Sequence, residues 1–416
     1  MAARPAFGTA LRAYRAGAGL TQEDLAERSG LSVRAIRNLE NGRTERPQRQ
    51  TVPLLGLALR LRESDYAVLL AAAGRGEAEP SAVSTVRSGG RCELPPDVPE
   101  LCGRDLPVAT LTGAMTAPGP RSVLVSGGPG VGRTAVAVHV AHRLRDRFPD
   151  GQLYADLDQP DRTPMSVDAV LLRLLRSLDV TDPPETREER AALVRAELAA
   201  RQVLVVLENV AHEAQVRPLL TGASPSAVLM TSRRELLALP GVQTVRLDPL
   251  GADCARQILV RLVGDRVRAE PAAARAIVDA CARLPVALHI AGSWLAARPH
   301  RLLADLSALL TDDDLVLDRL TVADLSVRAC IATHVATLRP DEQRLLHQLA
   351  HLDTDTMSAA DLCHPLATAE PALRDGLDAL AHAHLLTPAG PGYRMNPLVR
   401  RYAQEEAGLP RLRAAR

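Results

Sequence analysis

The residues whose spacing carries the most chemistry are Gly127-Gly-Pro-Gly-Val-Gly-Arg-Thr134, between the apolar run Ser122–Ser126 and a helically spaced segment, Ala135–Arg145. Glycines in such a turn let consecutive backbone N–H groups face a polyphosphate. The following helix N-terminus adds positive potential, and a Ser/Thr hydroxyl binds the Mg²⁺ that neutralises the phosphates. Gly127, Gly132 and Thr134 stand where a phosphate-binding loop needs them, with Gly130 and Val131 between. Arg133 takes the place usually held by lysine, replacing a compact ammonium with a bulkier planar fork of the same charge. The pattern predicts a strand, a loop and a helix that hold nucleotide phosphates. A plain glycine-rich turn, and a loop that holds nucleotide without turning it over, are the other two readings.

Further along, Val203–Leu207 has the unbroken apolar character of a central parallel strand, and Glu208 and Asn209 emerge at its C-terminal end, where ligands bind in such sheets. Glu208 could hold Mg²⁺ through water, whereas the uncharged Asn209 cannot act as a general base for water attack. Ala227–Met230 is another strand, leading to Thr231-Ser-Arg-Arg234, where Arg233 is placed to reach a γ-phosphate. Gln152–Leu157 reads as a strand, and Ser166–Leu178 and Thr186–Ala200 as helices. The alternation predicts a parallel sheet with right-handed crossovers.

The first 75 residues read differently. Thr21 and Asp24 form a capping box, with Leu20 and Leu25 as its hydrophobic staple. Eleven residues on, Ser32 caps a second helix stapled by Leu31 and Ile36, and Gly30 supplies the tight turn between them. Ile36 and Leu39 then face a core, which leaves Val33, Arg34, Arg37 and Asn38 on the opposite face. Asn41-Gly42 ends the helix, and Arg43, Arg46 and Arg49 follow within reach of phosphates.

These residues, Gly19-Leu-Thr-Gln-Glu-Asp-Leu-Ala26, Gly30-Leu-Ser32 and Ile36–Gly42, resemble the XRE/lambda-repressor-like helix-turn-helix family. The resemblance implies double-stranded DNA as partner, with Gln22 anchoring the backbone and Val33, Arg34, Arg37 and Asn38 reading base edges in the major groove. The alternative is that Arg34 and Arg37 only solvate an exposed face.

Composition agrees with this division. Twelve of the 50 basic and seven of the 49 acidic residues fall in residues 1–75, so this end carries +5 and the remainder −4. An anionic partner is expected at the basic end. Only 2% of residues are aromatic, which argues against stacking platforms for single-stranded nucleic acid. All the basic residues are arginine, and coding bias in an Ala/Arg-rich proteome accounts for that most simply. The six cysteines (Cys92, Cys102, Cys254, Cys281, Cys330, Cys363) form no C-x-x-C pair, so no disulfide framework or zinc site is expected. His347, His351, His382 and His384 sit in helical context and read as core or surface residues rather than metal ligands. No apolar run approaches bilayer length and no signal peptide is evident, so a cytoplasmic location with no membrane partner is expected.

Residues 76–100 lose periodicity and are rich in Gly, Ser, Pro and Glu, which predicts a linker. Beyond it, Gly103-Arg104, the Gly127–Thr134 loop, Phe148–Tyr154, Val203–Asn209, Thr231–Arg233, Leu284-Pro-Val-Ala-Leu288 and Tyr393–Val399 together resemble the NB-ARC branch of the STAND signal-transduction NTPases. The resemblance implies a multidomain chain: an all-α helix-turn-helix domain (1–75), an α/β P-loop domain with a parallel sheet (101–247), an α-helical ARC domain (248–320) and a winged helix (321–416). It implies an ADP/ATP switch with Mg²⁺. Arg104, Gly127, Gly130, Val131, Gly132, Arg133, Thr134, Glu208, Arg233, Pro285 and Asn396 would meet the nucleotide, and Thr134 and Glu208 the metal.

The departures from that family are Arg133 for lysine, Glu208 for aspartate, Arg283 for the glycine before Leu-Pro, and Asn396-Pro397 for His-Asp. Together they imply slow or absent hydrolysis, or a switch released from its ADP-held state. The function expected is a DNA-binding transcriptional regulator controlled by that switch, binding as a homo-oligomer. Without the family's usual C-terminal repeat sensor, the signal would enter through the winged helix, a partner protein or the nucleotide. The alternatives are a signalling or defence ATPase whose helix-turn-helix mediates protein contacts, and a working hydrolase.

Overall fold

A computed structural model describes residues 7–29, 31–41, 55, 58–59, 91–98, 101–119, 121–159, 163–220, 224–311, 315–352, 354 and 356–407. They fall into two compact units, residues 1–86 and 87–416. Gly30, Gly42, Arg43, Arg46, Arg49 and residues 76–90 of the expected linker lie outside the described residues.

In the first unit, helices α1 (Phe7–Gly17), α2 (Gln22–Ser29) and α3 (Val33–Glu40) enclose Phe7, Leu11, Leu25, Ile36 and Leu39, with Leu55 and Leu59 added from further along. The start of α2 has the reciprocal capping bonds expected of it: Asp24 N–H donates to Thr21 Oγ1 at 3.0 Å, and Thr21 N–H to Asp24 Oδ2 at 2.8 Å. Ser32 Oγ likewise accepts from Ala35 N–H at 3.2 Å. Gly8 lets α1 close onto the end of α3, since a Cβ there would stand 2.4 Å from the Leu39 carbonyl oxygen.

The second unit is built on six parallel strands: β1 (Arg91–Cys92), β2 (Ser122–Gly127), β3 (Gly151–Asp156), β4 (Val203–Glu208), β5 (Ala227–Ser232) and β6 (Gln243–Leu247). Their spatial order is β1-β3-β4-β5-β2-β6. Every residue of β2, β4 and β5 is buried, as strands covered on both faces require. Alternate residues serve different cores. Val123, Val125, Leu204 and Val206 face one that includes the C-terminal helices, whereas Leu124, Val205 and Met230 face helices Val167–Ser177 and Arg187–Ala200. The chain leaves β2 for β3, returns through β4 and β5, and places β6 on the far side of β2. The reversal of strand order is therefore at the loop after β2, where such sheets bind ligands.

Strand β1 arises inside the segment read as a linker. Arg91 and Cys92 pair with Gly151 and Gln152, and Gly151 (φ 142°) has Arg91 backbone where a Cβ would go. Two exposed residues carry no periodicity, which is why the strand is silent in the sequence.

Past the sheet come helices Ala252–Val263, Pro271–Ala280, Pro285–Ala296 and Leu303–Thr311. Gly292 permits the first and third to pack closely, as a Cβ there would meet Leu262 Cδ1 at 2.4 Å. Helices Val327–Val335, Pro340–Ala350, Ala359–Leu366 and Glu370–His382 follow. An antiparallel hairpin (Leu386–Ala389, Gly392–Met395) and helix Pro397–Glu406 complete the described chain in the manner of a winged helix. No helix among the described residues is long and apolar enough to cross a membrane.

Candidate nucleotide and nucleic-acid sites

The loop between β2 and helix Arg133–Arg143 is shaped by its glycines. Gly130 and Gly132 have φ of 72° and 90°, conformations that disfavour a side chain. At Gly127 a Cβ would lie 2.5 Å from the Leu247 carbonyl, and at Gly130 it would lie 2.4 Å from Val286 Cγ1. The second contact places the start of helix Pro285–Ala296 against the loop. Pro285 is its first residue and has no N–H to leave unsatisfied, while Val286 N–H donates to the Gly130 carbonyl at 3.4 Å. Arg104, buried, fixes the loop from another side by donating to the Val131 carbonyl at 2.8 Å and the Asp248 carbonyl at 2.9 Å. Burial pulls its pKa down, against the field of Asp248.

Thr134 and Thr231 both donate to Glu208 Oε2 at 2.8 Å. Glu208 is 1% exposed, and its other oxygen, Oε1, is buried with no hydrogen-bond partner. Burial pushes this carboxyl above the ordinary range, outweighing the two hydroxyl bonds. A carboxylate oxygen left unsatisfied beside a threonine hydroxyl is a hard-oxygen pair that fits Mg²⁺. That ion keeps several waters and substrate phosphates and takes few ligands from the protein. Among the described residues there is no group of three or more His, Cys, Asp or Glu able to hold a metal without such help.

Arg133 Nη1 donates to the carbonyls of Gly127 and Gly128, the latter at 2.8 Å, and meets His334 Nε2 at 3.1 Å. His334 lies on helix Val327–Val335 and is buried; its Nδ1 is 3.1 Å from the Cys330 carbonyl, which can only accept. A proton on Nδ1 answers that carbonyl and lets Nε2 accept from the guanidinium, which can only donate, with the Gly127 carbonyl also beside the ring. Burial, with Arg133 adjacent, keeps His334 neutral. Burial and Arg233 lower the Arg133 pKa to about 10, which leaves it a cation at neutral pH. Nothing in the sequence marked His334, since its role depends on a contact 201 residues distant.

A cavity of about 730 Å³ opens beside the loop, within the usual range for small-molecule sites. Arg104, Gly130, Val131, Gly132, Arg133, Thr134 and Pro285 all line it, opposite an apolar wall that includes Ile258 and Leu262. Glu208 joins them through Thr134. Arg233 and Asn396 sit elsewhere. Arg233 pairs with Asp158 at 2.6 Å along a separate cavity of about 250 Å³, shared with Asn209. Asn209 donates from Nδ2 to Asp156 Oδ1 at 2.8 Å. Asn396 caps helix Pro397–Glu406 by accepting from Leu398 N–H at 2.9 Å, and it lines a narrow crevice with Gly128, Pro129 and His384.

In the first unit, Arg34 and Arg37 are exposed on α3, and Asn38 is half-buried. Val33, expected to face outward, is half-buried and packs on the edge of the core beside Leu31. Gln22 is held by the protein itself. Its Nε2 donates to Glu40 Oε2 at 2.7 Å, and its Oε1 accepts from Arg37 Nε at 3.5 Å. Glu40, fully buried, also takes Arg15 Nε at 2.6 Å. Burial alone would raise its pKa, but the bonds from Arg15 and Gln22 prevail and lower it. Its spacing of four from Ile36, visible in the sequence, puts it on the core side of α3.

Residues 6–79 match the model of a helix-turn-helix domain. The regulatory protein AfsR of Streptomyces griseus is 40% identical over 320 residues, covering 75% of this chain and 33% of that protein. Its counterpart in Streptomyces coelicolor is 37% identical over 360 residues, covering 84% and 36%. The chain carries a helix-turn-helix domain and is similar over most of its length to these regulatory proteins. It spans about a third of the length of these curated relatives. Among solved structures, a Walker-type ATPase of Pyrococcus abyssi overlaps 75% of this chain and 99% of its own at 12% identity, with a TM-score of 0.48. A STAND protein with a tetratricopeptide-repeat sensor from Pyrococcus horikoshii overlaps 76% and 44% at 15% identity, with a TM-score of 0.35.

Proposed function

We propose that this chain is a cytoplasmic transcriptional regulator whose hold on duplex DNA is set by an ADP- or ATP-binding switch. The observation that carries the reading is the Glu208 oxygen without a partner, one threonine away from a nucleotide-sized cavity walled by the glycine loop. In this reading the N–H groups of Gly130–Thr134 and the Arg133 guanidinium bind the phosphates, and the apolar wall takes the base. Mg²⁺, held by Thr134 and Glu208, would neutralise phosphate charge. Retention without turnover follows from the same residues: Asn209 has no carboxylate to accept a proton from water, and Arg233 is engaged by Asp158. Arg34 and Arg37 supply the exposed cations for guanine edges, and two copies on a pseudo-palindrome would set their recognition helices about 34 Å apart. The similarity to regulatory proteins supports the same reading.

The test is to denature the purified protein and identify any nucleotide released, then footprint DNA with the chain loaded with ADP or ATP. Released ADP or ATP and nucleotide-dependent footprints are expected. A chain that carries and binds neither overturns the switch. Duplex binding should weaken steeply as salt rises; salt-independent binding to another protein would make the helix-turn-helix a protein contact instead. Mg²⁺-dependent turnover that vanishes in Arg133→Ala would show a working hydrolase.

A further inference from the structure

The arginine at the lysine position does something a lysine could not. A guanidinium has five N–H donors on three nitrogens in a fixed plane, whereas an ammonium has three on one. Here the two N–H groups of Nη1 are shared among the two loop carbonyls and His334, while among the described residues Nε and Nη2 make no bond, and Arg133 lines the cavity. One side chain therefore grips a neighbouring helix and still has donors for an anion. That helix, Val327–Val335, touches the site on both sides: Cys330 lines the larger cavity, Thr333 the smaller, and just beyond its end the Thr337 carbonyl accepts from Arg234 Nη1 at 3.1 Å.

We infer that His334 is a positioning residue which, by accepting from Arg133, makes phosphate occupancy of the loop and the seating of helix Val327–Val335 a single equilibrium. The inference rests on the nucleotide reading above and assigns the switch's moving contact. Asn396, expected to meet the nucleotide, is taken up in capping its own helix, and His334 provides a contact to the loop from a different element. Because the pair is a hydrogen bond to a charged donor inside a partly buried site, its loss is felt at the phosphates as well as in packing.

The experiment is a double-mutant cycle on the full chain, reading ADP and ATP affinity by titration calorimetry. His334→Leu removes the acceptor and keeps the bulk, and about a tenfold loss of affinity is expected. His334→Gln, which restores an acceptor oxygen, should recover most of it. In an Arg133→Lys background, His334→Leu should change affinity less than twofold, because the lysine cannot serve both partners. Should His334→Leu fail to fold, His334→Gln against the shorter His334→Asn gives the same contrast in both backgrounds. A second readout, hydrogen exchange in Val327–Val335, should slow on adding nucleotide in the wild type and be unchanged by it in Arg133→Lys. Equal losses in the two backgrounds, or no loss in either, overturn the inference while leaving nucleotide binding intact. A wild-type chain that binds neither nucleotide overturns both.

Discussion

Each unit of this chain buries one glutamate beside its candidate site, and the two are in opposite condition. Glu40 in the helix-turn-helix is met by Arg15, by Gln22 and, at 3.7 Å, by Arg12, so its charge is answered from within the fold. Glu208 at the end of β4 is met only by two hydroxyls and keeps one oxygen unsatisfied. Both are hidden from solvent, Glu208 much more deeply, and one pKa is lowered while the other is raised. A buried carboxylate with bonded internal cations is part of the scaffold, whereas one held by hydroxyls with an oxygen to spare can take a cation. The backbone repeats the contrast. Beside the phosphate loop, Ala282 and Arg283 are both held at positive φ (48° and 56°) immediately before Leu284-Pro285, whereas among the described residues of α1–α3 and their turns only a glycine, Gly19, has that conformation.

The largest effect that could break this comparison is at Glu40. Glu40→Gln strands Arg15 and should destabilise α1–α3 by about 3 kcal/mol, read by hydrogen exchange of those helices. Since the folded pKa is lowered, the contribution is complete above the unfolded value near 4.3 and disappears as pH falls through the folded one.

Glu208→Gln should act with the opposite sign. Without Mg²⁺, at a pH above the raised folded pKa, it should stabilise the second unit by about 2 kcal/mol, because it removes a buried charge answered only by two hydroxyls and the field of Arg133. Here the folded pKa is raised, so the wild-type carboxyl favours folding at low pH and loses that benefit as pH rises through the folded value. The same variant should bind nucleotide without regard to Mg²⁺. Chemical denaturation and calorimetry, each with and without Mg²⁺, check both; destabilisation in the absence of the ion would erase the distinction between the two carboxylates.

Arg34→Ala tests whether the exposed side of α3 is separate from its buried scaffold. Specific duplex affinity should fall roughly tenfold, about 1.5 kcal/mol, with the melting temperature unchanged. The smallest effect is expected at Arg283→Gly, which relieves a left-handed residue whose side chain is exposed and whose carbonyl bond to Leu250 N–H is kept. It should stabilise the second unit by about 1 kcal/mol in denaturant titration; no gain would mean that the positive φ there costs nothing.

Local signals were legible before any coordinates. The capping box at Thr21 and Asp24, the cap at Ser32, the glycine loop and the three buried strands each lie within a few residues of sequence, and each is where its pattern placed it. Legibility ended where a contact spans many residues or an element is too short to show a period. Strand β1 has two residues and no alternation. Val33 lies at the boundary of a helical face, where a small rotation decides exposure. Asn396, expected at the nucleotide from its order along the chain, caps its own helix by accepting from Leu398 N–H, as an N-cap asparagine does.

By itself, then, the sequence determined the class of each unit and the kinds of atom offered at each site, because caps, turns and periodicity are properties of a few consecutive residues. Only the tertiary structure decided which of those atoms are already answered. It gave Glu40 its arginine, left Glu208 without one, and set His334 against Arg133. The physical reason is that burial and partnership, which fix whether a charge is structural or available, are properties of distant segments brought together by packing.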